Sequence, residues 1–596
     1  MTEPSMRRSA VVLIAAALLL TALPPAAAAG KCNGKRATHD FSGDAGVRFP
    51  GTSKNDVIIG SSADDELSGG GGNDTICPGD GDDYVSGGPG NDVVIGGRGQ
   101  DYMTADAGKD SYNGGDGFDE VDYSSSKTAI VGNLAKDTVV SKGTKESIRS
   151  IEVLDGSNFN DKLLGDGGEN YLFGEEGNDR VLGKGGNDYM AGGTGDDLID
   201  GGPGELNSNS YWLSATPVNI DMTAGTSSGE GNDTFRSINI MRGSIHDDTI
   251  VGSEKAEHIL AEDGNDNIQA RGGDDSVYAE RGEDTLDGGE GLDTVSYLFA
   301  ARLVKVDLGS GTAIEGDAFS NQDTDRFSSF EAAYGSDYDD ELIGTDGNDI
   351  LDGSSGNDIV SGLDGEFDLL HGGPGDDSID GGSGAGDLAS FSTSTGGVTA
   401  DLASHSASGE GSDELVGIEA LEGSPLNDRL IGDAGDNNFV GLGGDDQVEG
   451  GDGFDAVYFQ FAAARVTADL TLGNASGEGS DSLSAVEGAF GSAGNDELLG
   501  TSDANVLIGA AGNDDLEGAA GNDVLDGGDG TDTGDGGDGT DGCVGESITG
   551  CESATASGDD YARMVGFAGI QPGGKAVERA VAEIKAARSF ARSFQP

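Results

Sequence analysis

Residues 87–104 read GGPGNDVVI followed by GGRGQDYMT. Each half opens with turn-forming residues, carries an acid at its sixth place (Asp92, Asp101) and an apolar residue at its eighth (Val94, Met103). Set out in rows of nine, residues 51–122 keep that phase without a break. The sixth place is Asp56, Asp65, Asp74, Asp83, Asp92, Asp101, Asp110 and Asp119; the eighth is Ile58, Leu67, Ile76, Val85, Val94, Met103, Tyr112 and Val121. A flexible acidic tract preserves composition but has no reason to preserve phase, so this is a repeat architecture.

The phase returns in five further blocks: 156–204, 243–296, 335–388, 423–457 and 491–544. The fourth slips by one residue at GLDGEFDLLH and again at GGSGAGDLAS. Asn170, Asn437 and Asn505 are neutral at the sixth place and Glu257 is longer, so weak or empty sites are expected there. Inserts at 123–155, 205–242, 297–334, 389–422 and 458–490 separate the blocks. Each begins with a short alternating strand, VTADL in two copies, VNIDM, VKVDL and more loosely IVGNL, which is a half-buried β signature. An apolar residue (Ile151, Ile238, Phe330, Ile418 or Val486) then precedes the Gly-Ser of the next block by five places. That constant offset predicts inserts that keep the register of the stack.

Within a row, glycines allow a tight turn and the last three residues make a short strand whose middle side chain enters a thin core. Stacking rows places carboxylates on successive rungs. Unit charges about 5 Å apart repel by roughly 0.8 kcal/mol even in water. The whole chain faces this problem: 596 residues carry 110 Asp+Glu against 33 Lys+Arg, a formal net charge of −77, with aromatics at only 6%. Such a chain needs a cation to compact, and it repels nucleic acid and anionic lipid. Carboxylates and carbonyls on flexible turns are hard oxygen donors and suit Ca²⁺ better than Mg²⁺ or a transition metal.

GGGGNDTIC, GGPGNDVVI and GGTGDDLID resemble the Gly-Gly-x-Gly-x-Asp-x-apolar-x nonapeptide of hemolysin-type calcium-binding (repeats-in-toxin, RTX) proteins. The resemblance implies an all-β fold: a right-handed parallel β-roll or β-solenoid, two nonapeptides per coil, binding multiple Ca²⁺ through Asp and loop carbonyls. Carried over place by place, it makes calcium ligands of Asp56, Asp65, Asp74, Asp83, Asp92, Asp101, Asp119, Asp179, Asp188, Asp197 and Asp266. Further along the chain it adds Asp275, Asp284, Asp293, Asp349, Asp358, Asp377, Asp446, Asp455, Asp514, Asp523 and Asp532. The row ADAGKDSYN departs from the pattern, and Asp110 is left out.

No catalyst is legible. Only residues 30–50, read as an N-terminal cap, lie between leader and array, far too few for a catalytic domain. There is no His-Glu-x-x-His; GTSSG at 225–229 lies in an insert turn without a nucleophile-elbow context. His246 and His258 read as surface residues. Arg7, Arg8 and the apolar run AVVLIAAALLL, broken by Pro24-Pro25 and followed by small residues, predict a signal peptide over 1–29 and an exported protein. No later segment is long and apolar enough to span a bilayer. In an oxidising compartment Cys32–Cys77 and Cys543–Cys551 would staple the two ends. Residues 545–596 are read as a C-terminal cap ending in a basic amphipathic helix that closes the last coil. The expectation is a secreted, non-enzymatic calcium-binding β-roll with an extracellular or cell-surface role, meeting a cell-wall, matrix or surface ligand. A polysaccharide-active enzyme using the array as scaffold and a calcium buffer are the alternatives.

Overall fold

The computed structural model describes residues 30–316, 323–545 and 547–551, with Ala562 and Met564. The leader (1–29) and the basic helix expected within 575–592 lie outside the described residues. The chain forms two compact units that divide between Gly291 and Leu292.

In the first unit each row ends in a three-residue strand, because Gly-rich turns leave only places seven to nine extended. Strands 18 residues apart pair in parallel: Val57–Ile59 with Thr75–Cys77, and Glu66–Ser68 with Tyr84–Ser86, which pairs on with Tyr102–Thr104. Alternate rows therefore feed opposite sheets, two rows to a coil. The eighth-place residues Ile58, Ile76 and Val94 of one sheet and Leu67, Val85 and Met103 of the other are at most 1% exposed. Burying each such side chain contributes about 1.5–3 kcal/mol. Strands His39–Asp40 and Arg48–Phe49 pair with the first row of each sheet and cover it, and the Cys32–Cys77 disulfide ties this start to the stack.

The second unit repeats the scheme. Glu341–Ile343, Ile359–Ser361 and Ser378–Asp380 stack in one sheet, and Ile350–Asp352, Leu369–His371 and Leu388–Ser390 in the other. The slip in GLDGEFDLLH is absorbed by its turn: Leu351 faces Leu370 in an unbroken ladder. Cys543 and Cys551 are bonded to each other.

The inserts keep register, but they break the uniform strand direction. In the second insert, Asn219–Asp221, Thr226–Ser228 and Asn232–Arg236 form an antiparallel meander within one sheet. Its third strand pairs in parallel with Leu198–Asp200 of the block before, and its first with Thr249–Val251 of the block after. The opposite sheet passes directly from Ser208–Ser210 to Ile240–Arg242. The first, fourth and fifth inserts are built alike.

The outward face of one sheet in the second unit is apolar and buried, with Tyr334, Ile350, Leu388, Val440 and Tyr458 in one cluster that includes Met564. A Cβ on Gly488 would stand 2.8 Å from the Met564 sulfur. Met564 of the C-terminal segment thus packs on this lateral face; the helix expected to close the last coil lies outside the described residues.

Candidate metal centre

Within a block the sixth-place aspartates form two ladders, one along each edge where a turn enters its strand. Inside a block an Asp N–H donates to Oδ1 of the Asp one coil later: Asp56 to Asp74 at 2.7 Å, Asp74 to Asp92 at 2.6 Å, Asp65 to Asp83 at 2.8 Å and Asp83 to Asp101 at 3.1 Å; at a block's end the acceptor is an insert glutamate, Glu152 for Asp119. One oxygen of each carboxylate is thereby held. The other, Oδ2, is buried and has no hydrogen-bond partner among the described residues at Asp74, Asp83, Asp92, Asp101, Asp119, Asp179, Asp188 and Asp197. The same is true of Asp266, Asp358, Asp377, Asp455, Asp514 and Asp523. A buried carboxylate oxygen without a donor costs on the order of 1–3 kcal/mol or more, so its recurrence points to a cation as its partner.

A second oxygen comes from the main chain. A Cβ on Gly69 would lie 2.4 Å from both Asp74 Oδ2 and the Gly87 carbonyl oxygen, and one on Gly96 would lie 2.1 Å from Asp101 Oδ2 and 2.5 Å from the Gly114 oxygen. The first-place glycine leaves open the cradle into which a carboxylate and the next coil's carbonyl converge. Burial pushes the Asp83, Asp119, Asp197 and Asp358 carboxyls up to about 8. The ladder N–H works against that rise, and neighbouring carboxylates add to it. Without a cation these groups are poorly accommodated as anions near neutral pH.

The family comparison names this pattern. The model of the RTX calcium-binding nonapeptide repeat matches at 50–85, 86–121, 150–181, 182–205, 260–295, 334–366, 365–388, 422–457, 490–525 and 508–542, more than half of the chain. The chain belongs to the RTX calcium-binding repeat family. No curated protein matches it.

The donor set fits the RTX assignment. Among the described residues no three Asp, Glu, His or Cys side chains form a cluster that could hold a metal, so an ion here takes carboxylate oxygens with main-chain carbonyls. Calcium accepts such a mixed, flexible shell of oxygens and supplies the positive charge the ladder lacks. The residues that would hold it are the sixth-place aspartates whose Oδ2 has no donor, with the turn glycines of adjoining RTX rows. Asp275, Asp284, Asp293 and Asp532 are fully buried (0% exposed), and Asp446 accepts the Asp428 N–H at 2.9 Å in the same ladder.

Three expected ligands stand in a different setting. Asp56 Oδ2 accepts the Thr52 N–H at 3.0 Å and hydroxyl at 2.6 Å. Asp65 is held by Ser61 and Asp349 by Thr345, through the same two donors. Their own turns satisfy these carboxylates.

The sequence reading also passed over ladder members. Asp110, in the row it set aside, carries a buried Oδ2 without a partner, as do Asp368 and Asp387, where the slip moved the acid one place along. SGEGNDTFR (228–236), SGEGSDELV (408–416) and SGEGSDSLS (476–484) are nonapeptide rows inside inserts. Their Asp233, Asp413 and Asp481 accept N–H bonds from Asp197, Asp377 and Asp446 at 2.9, 3.2 and 3.2 Å. The Gly-x-Gly-x-Asp spacing was the available signal; the antiparallel strand ahead of it hid the row.

One hydroxyl–imidazole–carboxylate series lies on the lateral face of the second unit. Thr393 Oγ1 is 2.9 Å from His371 Nε2, and His371 Nδ1 is 3.0 Å from Asp352 Oδ1. His371 is 4% exposed, beside a small cavity lined by Ile350, Leu369 and Ser392.

Proposed function

We propose that this is an exported, non-enzymatic RTX protein whose blocks fold on calcium and then serve outside the cell as a structural or ligand-binding scaffold. The observation that carries the reading is the run of buried Asp Oδ2 atoms without donors along both edges of the stack. Folding this ladder requires a cation, and calcium at extracellular concentrations is the hard divalent ion that suits loops of this kind. The two disulfides favour an oxidising compartment, as does the leader-like N-terminus. Among the described residues no helix is long and apolar enough to cross a membrane. Circular dichroism in calcium and in EDTA tests the reading. Strand signal should collapse in chelator and return with calcium; a spectrum indifferent to EDTA would overturn it.

A hydrolytic reading has one observation in its favour, the Thr393–His371–Asp352 series. Burial of the imidazole favours a packing contact. Ester and glycoside substrates assayed with the calcium-loaded protein and with His371→Ala decide between them: hydrolysis lost in the variant would establish an enzyme.

A further inference from the structure

We propose that the first coil of every block holds its sixth-place side chains without calcium, and that each insert closes onto this metal-free seam. The inference rests on the calcium reading of the later coils and divides the ladder into two kinds of turn.

The division is regular. Each block opens with two rows, one per sheet, and in all six blocks the sixth-place group of both rows is capped from its own second place. The Ser424 N–H donates to Asp428 Oδ2 at 2.6 Å and the Ser424 hydroxyl to Oδ1 at 2.8 Å. Ser244 caps Asp248 in the same way at 2.6 and 2.8 Å, and Ser157, Ser336 and Ser492 cap Asp161, Asp340 and Asp496. In the companion rows Ser253 caps Glu257, Thr345 caps Asp349 and Thr501 caps Asn505, while the Asp166 and Asp433 N–H groups donate to Asn170 and Asn437. Thr52 and Ser61 do the same for Asp56 and Asp65 in the first block.

The insert supplies a third donor. Ile130, Val218, Val304, Val398 and Val466, each opening or just preceding the first strand of its insert's antiparallel meander, donate their N–H to Oδ1 of Asp161, Asp248, Asp340, Asp428 and Asp496, at 2.6–2.7 Å. Three donors, one of them a hydroxyl, thus surround each of these carboxylates. That leaves neither oxygen in the state that marks the later coils, and charge-assisted bonds of this kind are stronger than those between neutral groups.

Position in the block, more than the letters of the row, selects the turn. GSAGND (491–496) and GSSGND (353–358) differ only at the third place. In the first, which opens a block, Ser492 caps Asp496. In the second, Ser354 takes a left-handed φ of 73°, its N–H goes to Asp352 Oδ1, and Asp358 Oδ2 is left without a donor. The difference lies beneath the turn. Gly356 is seated over the Tyr338 carbonyl of the nonapeptide turn one coil earlier, 2.4 Å from where its Cβ would be. Gly494 instead has the insert residue Arg465 and its own turn's Ser492 hydroxyl, each 3.0 Å from the same point. A turn with no nonapeptide turn below folds inward onto its own acid.

The test uses the full chain and two readouts, calcium bound at saturation (equilibrium dialysis with metal analysis) and amide exchange in EDTA. Residues 398–431 of the wild type should stay protected in EDTA relative to 93–113 in the interior of the first block. Asp446→Asn should lower the calcium count, whereas Asp428→Asn should leave it unchanged. Ser424→Ala, which keeps the carboxylate, should also keep the count while exchange at 398–431 in EDTA rises about ten-fold, as loss of one hydrogen bond to a charged group implies. A calcium ion lost in Asp428→Asn, or 398–431 exchanging in EDTA as fast as 93–113, would overturn the seam. A wild type that binds no calcium would instead defeat the reading on which the seam rests.

Discussion

GGPGND at 87–92 and GSPLND at 423–428 differ at two places and hold the same aspartate in opposite ways. In the first, inside a block, Gly88 is left-handed (φ 79°), Asp92 Oδ1 takes the ladder N–H of Asp74, and Oδ2 is buried without a donor. In the second, opening a block, Ser424 stays out of the left-handed region and gives two hydrogen bonds to Asp428. The comparison teaches that one nonapeptide frame can neutralise its acid from outside, with an ion, or from inside, with its own donors. Alternating the two along the chain would make calcium dependence a local property of each coil.

Removing calcium should separate these regions most strongly. In EDTA the block interiors should lose their strand signal, while exchange protection persists at the seams; uniform loss across both would erase the distinction. A substitution in the turn comes next. Gly90→Ala would place a Cβ 1.5 Å from the Gly72 carbonyl oxygen, so the coil must shift. A cost of about 3 kcal/mol is expected, read as a lowered Tm in saturating calcium. Gly494→Ala in a seam turn has 3.0 Å of clearance to Arg465 and should cost distinctly less.

Neutralising the acid should give a smaller effect with a diagnostic sign. Asp92→Asn should destabilise the calcium-loaded protein by about 1–3 kcal/mol but be neutral or stabilising in EDTA, where it removes like-charge repulsion. Asp428→Asn should destabilise under both conditions; denaturant titration in calcium and the residual amide protection in EDTA would show it. The mildest probe is pH. The Asp92 carboxyl is pushed up to about 6 and the Asp83 and Asp358 carboxyls to about 8 by burial, above the ordinary aspartate value of 3.8. Groups raised in the folded state favour it fully below about pH 4, and that favour is lost as pH rises through 6 to 8. Calcium-free protein should therefore gain strand signal on acidification from pH 8 to 5. The calcium midpoint should move the other way, to higher concentration, because protons compete for the same oxygens.

Much of this was legible in the residues. The nine-residue phase, with Asp at place six and an apolar residue at place eight, was enough for the rows, the two-sheet stack and the ladder. The constant offset before Gly-Ser showed that inserts hold register, and the four cysteines pair as their positions suggested. The neutral or long sixth places, Asn170, Asn437, Asn505 and Glu257, all fall in the second row of a first coil, where a capping N–H is already present. Periodicity could not show the other side of that pattern, since Asp56, Asp65 and Asp349 carry the right letter in a capped turn. It also missed Asp233, Asp413 and Asp481, because a row preceded by an antiparallel strand breaks the count that reveals rows.

The sequence by itself determined the repeat, its fold and its calcium-binding pattern, because spacing, charge and turn chemistry are local properties written into every nine residues. Only the tertiary structure decided which carboxylates keep an oxygen for an ion. That choice depends on what lies one coil below the turn, another nonapeptide or the end of an insert, and those neighbours are set by stacking.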